Sequence, residues 1–365
     1  NANPGTDTIN FAVNGSFGIS SAGSGGDNNQ AGDFDVLGSV NIVGNGTANT
    51  VIVGDGNDRA LDLRSGSIEI SGVTVQGGNN GTGGGIAVQS SANVTLTNVV
   101  VQNNLGSGGS KGAGIYNAGV LNLRNVIVQN NGGVSANTDG AGIYVDGGAT
   151  LDARNVEIRG NGAGAKDGGG VYIKTGATVL LENVTLSGNQ AFKGGAIWNG
   201  SDNLRLVNST ISGNTGGPQG GGVWSQGVAT LDHVTIANNS SSSESGVFDK
   251  DGKVRVANSL FVNNSGGNSN GLLISLGYNL SSDNSLGFTG TGDLSNVAIT
   301  LSPLANNGGL TRTHAISGAN PALNAANPVT TLTMDQRGVV YAGGRSDIGA
   351  YEDNQSGNAP AISSV

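Results

Sequence analysis

Short runs of alternating apolar and polar residues recur along the chain, and each breaks phase at the same place. In Val94-Thr95-Leu96-Thr97-Asn98-Val99-Val100-Val101, Val94 and Leu96 share one parity, and Val99 and Val101 take it over after Asn98. Matching runs are Leu121–Val128, Leu151–Ile158, Val179–Leu186, Leu204–Ile211, Ala229–Ile236 and Val254–Phe261, with a weaker copy at Ile68–Val75. The breaking residue is Asn98, Asn125, Asn155, Asn183, Asn208, His233 and Asn258, in steps of 27, 30, 28, 25, 25 and 25 residues; the weak copy has Gly72 there. A phase break between short strands is a sharp corner, and Asn tolerates the left-handed backbone that a corner needs.

Six residues past each marker stands a second Asn: Asn104, Asn131, Asn161, Asn189, Asn214, Asn239 and Asn264. A variable loop follows, then a Gly-rich stretch ending in an aliphatic–aromatic pair: Ile115-Tyr116, Ile143-Tyr144, Val171-Tyr172, Ile197-Trp198, Val223-Trp224 and Val247-Phe248. Each copy therefore reads as three short strands, and stacked copies predict an all-β, right-handed parallel β-helix of about ten coils with rungs about 4.8 Å apart. The aliphatics fill the interior. The two Asn columns are expected to form amide ladders that satisfy corner backbone groups. Gly and β-branched residues at this density oppose a helical reading.

Residues 1–300 are assigned to the β-helix: irregular leading coils over 1–65, with a strand at Thr8–Val13, regular coils over 66–264, and late coils over 265–300. Residues 301–352 read as a C-terminal cap and extension, and 353–365 as a flexible tail.

Composition narrows the function. Of 365 residues, 67 are Gly and 47 Asn; there is no Cys, there are two His, and the net charge is −9. These values exclude a disulfide scaffold, a thiolate metal site and a multi-His centre. They also argue against a nucleic-acid partner, which needs a basic stripe. No apolar run approaches the roughly 18 residues of a membrane span. The chain begins at Asn1 without Met and reads as a mature or trimmed product.

By alternation, Tyr116, Tyr144, Tyr172, Trp198, Trp224 and Phe248 face outward, and the next outward column (Ala118, Asp146, Lys174, Gly200, Gln226) is mostly polar. Such a stripe suits cover by loops, ring stacking that simply stabilises the coil, assembly with another chain, or glycan binding. Carboxylates Asp152, Glu157, Glu182 and Asp232 fall in different columns, without the paired carboxylates that polysaccharide cleavage needs. Arg124, Arg154 and Glu182 form a surface ion ladder. Asp55-Gly-Asn-Asp58 and Asp249-Lys-Asp251-Gly are acidic turns, each supplying only part of a Ca²⁺ shell. They are weak candidates, and no cofactor is expected. His233 is expected to keep the corner hydrogen bond of the Asn it replaces; His314 shows no partner. Asn183-Val-Thr and Asn208-Ser-Thr are by-products of the repeat. Thr74, Thr185, Thr210 and Thr235 share a column that Val100, Ile127 and Glu157 interrupt, which spoils a flat ice-binding grid.

The repeat Asn183-Val-Thr-Leu-Ser-Gly-Asn189, followed by Gly194-Gly-Ala-Ile197, resembles bacterial right-handed β-helix surface proteins; polymorphic outer-membrane autotransporter passengers carry similar signatures. The ends resemble secreted CSLREA and choice-of-anchor Q proteins: Asn1–Phe11 is similar to the start of their helix-forming region. Leu301–Thr311, Asp335-Gln-Arg-Gly338 and Asp347-Ile-Gly-Ala-Tyr-Glu352 are similar to their C-terminal module. The resemblance implies secretion, a β-helix and attachment to a cell surface or matrix, but no one activity. The Cys-containing cap usual before the position of Asn1, and a sorting tail after Val365, are not in the sequence.

The expected function is that of an extracellular, non-catalytic structural protein. It assembles with itself, through its ends or its aromatic face, or contacts surface polysaccharide. With the cap missing, the first coil is expected to pair with the C-terminal region of the next copy and make a fibre. A glycan-binding adhesin and, behind it, a polysaccharide lyase or hydrolase are the alternatives.

Overall fold

A computed structural model describes residues 5–18, 32–133, 137–162, 164–270, 272–330, 332–341 and 344–353. The tail assigned to 353–365 lies outside them but for its first residue. The described residues contain strands and no α-helix, and thus no helix able to cross a membrane.

The strands stack as a parallel β-helix. A typical rung has a first face at Ile115–Asn117, a second at Val120–Arg124 and a third at Ile127–Gln129. Each pairs in parallel, in register, with the same face of the next rung: Ile115 with Ile143, Leu121 with Leu151, Val128 with Ile158. The row Ile86, Ile115, Ile143, Val171, Ile197, Val223 and Val247 is continuous and buried. Eight full rungs run from Leu61 to Val262; a looser rung at Phe34–Val36, Val40–Val43 and Thr50–Val53, with part-rungs at both ends, approaches the ten coils read from the sequence. The leading strand is Asp7–Asn10, which stops short of Val13. Leu286 and Phe288 pack against the last rungs and close the interior.

Three left-handed corners turn each rung. The marker residues Asn98, Asn125, Asn155, Asn183, Asn208, His233 and Asn258 all have φ between 45 and 57°. A second corner, not foreseen, falls on the residue before each inner Asn: Asn103, Asn130, Gly160, Gly188, Gly213, Asn238 and Asn263. The third is a Gly column; at Gly112 (φ 65°) a Cβ would sit 2.1 Å from the Ile115 carbonyl oxygen, so only Gly fits.

The two Asn columns behave differently. The inner column is a true ladder. Asn131 Nδ2 donates to Asn161 Oδ1 (3.0 Å) and to Val101 O (3.0 Å), and the Asn131 backbone N–H donates to the same Asn161 oxygen. The pattern repeats from Asn104 to Asn239, with Asn264 closing on Asn268. The marker column, also expected to be a ladder, is a row of outward corners instead. Asn125 Nδ2 reaches Asn98, but Asn208 Nδ2 donates to Met334 O and Asn258 Nδ2 to Asp232. A left-handed corner points its side chain away from the interior, so these amides meet whatever lies outside.

What lies outside the third face is the C-terminal segment. Residues from Ile299 onward run along the flank, and Ile299, Ile316, Ala322, Ala326 and Ile348 form a second apolar cluster with Leu260, Val262 and Leu280. Arg312 Nε donates to Glu157 Oε1 (2.9 Å), and Gln336 Nε2 donates to Thr185 Oγ1 (2.8 Å). Thr210 Oγ1 donates to Gln336 Oε1 (2.7 Å), and the Ala350 N–H donates to Thr235 Oγ1 (3.0 Å). Thr185, Thr210 and Thr235 of the outward column are thereby covered, while the Thr74 hydroxyl donates to Thr47 O.

Candidate functional site: the aromatic stack and its charged margins

On the first face one outward column runs Asp35, Asp62, Ala87, Tyr116, Tyr144, Tyr172, Trp198, Trp224 and Phe248. The rings stack with centroids 5.8, 4.8, 4.3, 5.3 and 6.2 Å apart, and from Tyr144 to Phe248 no pair is tilted by more than 12°. The column faces away from the core, as alternation requires. Its ring faces are nevertheless filled by one another, and Tyr144 and Trp224 are only 3% and 5% exposed. Side contact, rather than stacking on a sugar face, is what this column offers.

Charged residues line both margins. On one side, Lys111, Asp139, Asp167, Lys193 and Gln219 follow one another rung by rung. Lys111 Nζ lies 5.6 Å from the Tyr144 centroid and Lys193 Nζ 5.3 Å from that of Trp224. On the other side, Asp146 Oδ2 accepts the Tyr116 hydroxyl at 2.6 Å and its Oδ1 accepts Lys174 Nζ at 2.7 Å. Burial alone would raise the Asp146 pKa, but the hydrogen bonds from Lys174 and Tyr116 hold it below the usual range. Burial pushes Tyr172 up to about 12, with help from Asp139 and Asp167. It also raises Asp139 and Asp167, against the pull of nearby lysines.

The expectation that Asp152, Glu157, Glu182 and Asp232 occupy different columns fails for Glu182 and Asp232, which share one column two rungs apart because each directly precedes a marker corner. Two further carboxylate groupings were not foreseen. Asp139 and Asp167 are cross-rung partners, and each keeps one buried oxygen without a hydrogen-bond donor. They sit in loops of unequal length, so no constant spacing revealed them. Asp33, Asp35 and Asp62 are buried with oxygens within 4.8 Å of one another. Arg59 pairs with Asp33 (3.3 Å) and Asp62 (3.1 Å), and Gln89 Nε2 donates to Asp62 (2.6 Å). Burial, then Asp35 and Asp58, push Asp33 up to about 7 against the pull of Arg59, so this group can carry a proton near neutrality. The irregular leading rung carries no repeat signature that would have flagged it.

The acidic turns use their oxygens locally. Asp55 Oδ1 accepts the N–H groups of Asn57 and Asp58, and Asp58 joins Arg59 and Asn80. Asp249 accepts the N–H groups of Asp251, Lys253 and Val254, while Asp251 pairs with Lys253 at 3.8 Å. Arg154 bridges Asp152 and Glu182, and Arg124 also pairs with Asp152. Each His residue joins the flanking segment to the rod, His314 from the segment and His233 from the rod. His314 Nε2 lies 2.7 Å from Ser212 Oγ, and burial lowers its pKa. His233 lies between Asp232 (2.9 Å) and Ser346 (3.3 Å); the Ser–His–Asp order is that of a nucleophilic site, but Ser346 is 1% exposed and beyond substrate reach.

Comparison with known proteins agrees with the architecture. A family model described as "Right handed beta helix region" matches residues 111–286. No curated protein matches the chain. Among solved structures, the crystal structure of pectate lyase Pel9A is similar with a TM-score of 0.55 and 14% identity, over 95% of this chain and 88% of that one. At that identity the likeness is one of fold alone. The chain is a right-handed parallel β-helix protein.

Proposed function

We propose that the chain is an extracellular, non-catalytic structural protein, a strut of a bacterial surface or matrix that associates with copies of itself or with polysaccharide. The observation that carries this is how the outward side chains are used. The first face stacks rings on rings, the second links Arg124, Asp152, Arg154 and Glu182, and the third is clasped by the C-terminal segment. Most surface chemistry is thus directed to holding neighbouring rungs together. Both ends carry exposed apolar side chains, Ile9, Val13, Phe34 and Leu37 at one and Leu272, Ile274, Leu276 and Leu294 at the other; others, such as Phe192 and Val329, lie along the rod and its flank. Electron microscopy across a wide concentration range tests the reading. Rods joined end to end, or rods bound to matrix, are expected; free monomers throughout would overturn it.

The acidic group Asp33, Asp35 and Asp62 beside Arg59 favours one second reading, a polysaccharide lyase or hydrolase. Release of unsaturated uronate products or new reducing ends, lost in Asp62→Asn, would support it over the strut.

A further inference from the structure

One buried indole N–H without a hydrogen-bond partner and two lysine ammonium groups meet at one rung of the aromatic stack. Trp224 is 5% exposed, and its indole Nε1 is buried with no hydrogen-bond partner. Lys193 Nζ lies 5.3 Å and Lys250 Nζ 6.0 Å from the centroid of that same ring. The two lysines come from opposite margins, Lys193 from the loop side and Lys250 from the strand side two residues past Phe248. Neither ammonium has a carboxylate within 4.0 Å among the described residues, although Asp167 is the rung neighbour of Lys193 and feels its charge; Lys174 on the same face is paired with Asp146. A buried indole N–H left without an acceptor is destabilising, and such groups in native structures call for an explanation.

We propose that this rung binds the carboxylate of an acidic sugar chain, a uronate-bearing glycan. Lys193 and Lys250 supply the charge, and the Trp224 indole supplies a directed N–H once the side chains part around the ligand. The proposal rests on the strut reading and names its polysaccharide partner. Two half-buried amides select a sugar acid over a bare anion. Gln219 is the rung neighbour of Lys193, and Gln226 follows Trp224 by two residues. Amides both donate to and accept from hydroxyl groups, which a phosphate or sulfate ion does not need. With a net charge of −9 the chain as a whole repels polyanions, so recognition is local and weakens as salt screens it.

Trp198 and Trp224 are the only two tryptophans, so indole emission reports on this stretch directly. The full chain is titrated with oligogalacturonate, with the same oligomer after reduction of its carboxyl groups, and with inorganic phosphate. A saturable emission change is expected with the acidic oligomer alone, reversed by salt. Lys193→Gln with Lys250→Gln should weaken it by about tenfold or more at an unchanged melting temperature. Trp224→Phe should lose the signal and Trp198→Phe keep it. An equal response to the reduced oligomer or to phosphate, or unchanged affinity in the double-lysine variant, would overturn the proposal. Rods in the microscope with no emission change would defeat this proposal while leaving the strut standing.

Discussion

Asn161 Oδ1 accepts two hydrogen bonds from Asn131, one from its side-chain amide and one from its backbone N–H, both at 3.0 Å. Asn161 Nδ2 in turn donates to Val128 O and to Asn189. One buried amide thus satisfies four groups on the two adjoining rungs and ties three rungs together, at a place where water does not reach.

Replacing Asn161 with Ala strands the two Asn131 donors and the Val128 carbonyl. Each unsatisfied buried group is destabilising by about 1–3 kcal/mol, so a loss of roughly 3 kcal/mol or more is expected in urea unfolding. Asn98→Gly is the matched control. Asn98 is exposed at a left-handed corner with φ 52°, which Gly adopts freely, so a change within about 1 kcal/mol is expected.

Ile143 is fully buried between Ile115 and Val171. Ile143→Ala should destabilise by about 2–5 kcal/mol, and Ile143→Val by about 0.5–1.5. A solenoid couples each rung chiefly to its neighbours, so hydrogen exchange should speed up there first and spread outward.

The flank contact is separable from the rod. Arg312 joins Glu157 and Ser187 on the third face, and Gln336 joins Thr185 and Thr210. Arg312→Ala with Gln336→Ala should speed proteolysis between residues 300 and 353 and deprotect Thr185 and Thr210, while the strand signal in circular dichroism holds. Co-operative loss of the whole strand signal would show that the segment is part of the rod.

Docking of that segment should depend on pH from both sides. Burial, then Asp347 and Asp335, push Glu352 up to about 7, and burial pushes Asp347 up to about 6. A carboxyl whose folded pKa is raised binds protons on docking. Its contribution is fully present below the unfolded value near 4 and fades as pH rises through about 6–7. His314 acts in the opposite sense. Burial lowers its pKa, so docking weakens as pH falls below the unfolded value near 6.5. Protection of residues 300–353 should therefore peak at mildly acidic pH, and Glu352→Gln should flatten the alkaline limb.

Legibility in the sequence followed the period. The inward row from Ile115 to Val247, the marker corners and the outward aromatics recur at near-constant spacing, so each could be placed from residues alone. The second corner was hidden because its column mixes Asn (Asn103, Asn130) with Gly (Gly160, Gly188), and because each precedes an Asn already assigned a role. Asp139 and Asp167 were hidden by unequal loops. The partners of Thr185, Thr210 and His233 lie more than 100 residues away, and no repeat announces them. Ring stacking was among the readings of the aromatic column, but parity alone gives direction and could not choose it over assembly or glycan binding.

The register itself is the most direct test, and a chain without cysteine makes it clean. Asn122 and Asp152 are outward cross-rung partners on the second face. Cysteines placed at both should oxidise to a disulfide, because adjacent parallel strands bring Cα atoms to about 4.8 Å, within disulfide reach. Cysteines at Asn122 and Arg154, two residues out of register, should remain free thiols. A disulfide in the slipped pair and none in the matched pair would contradict the stacked-rung architecture.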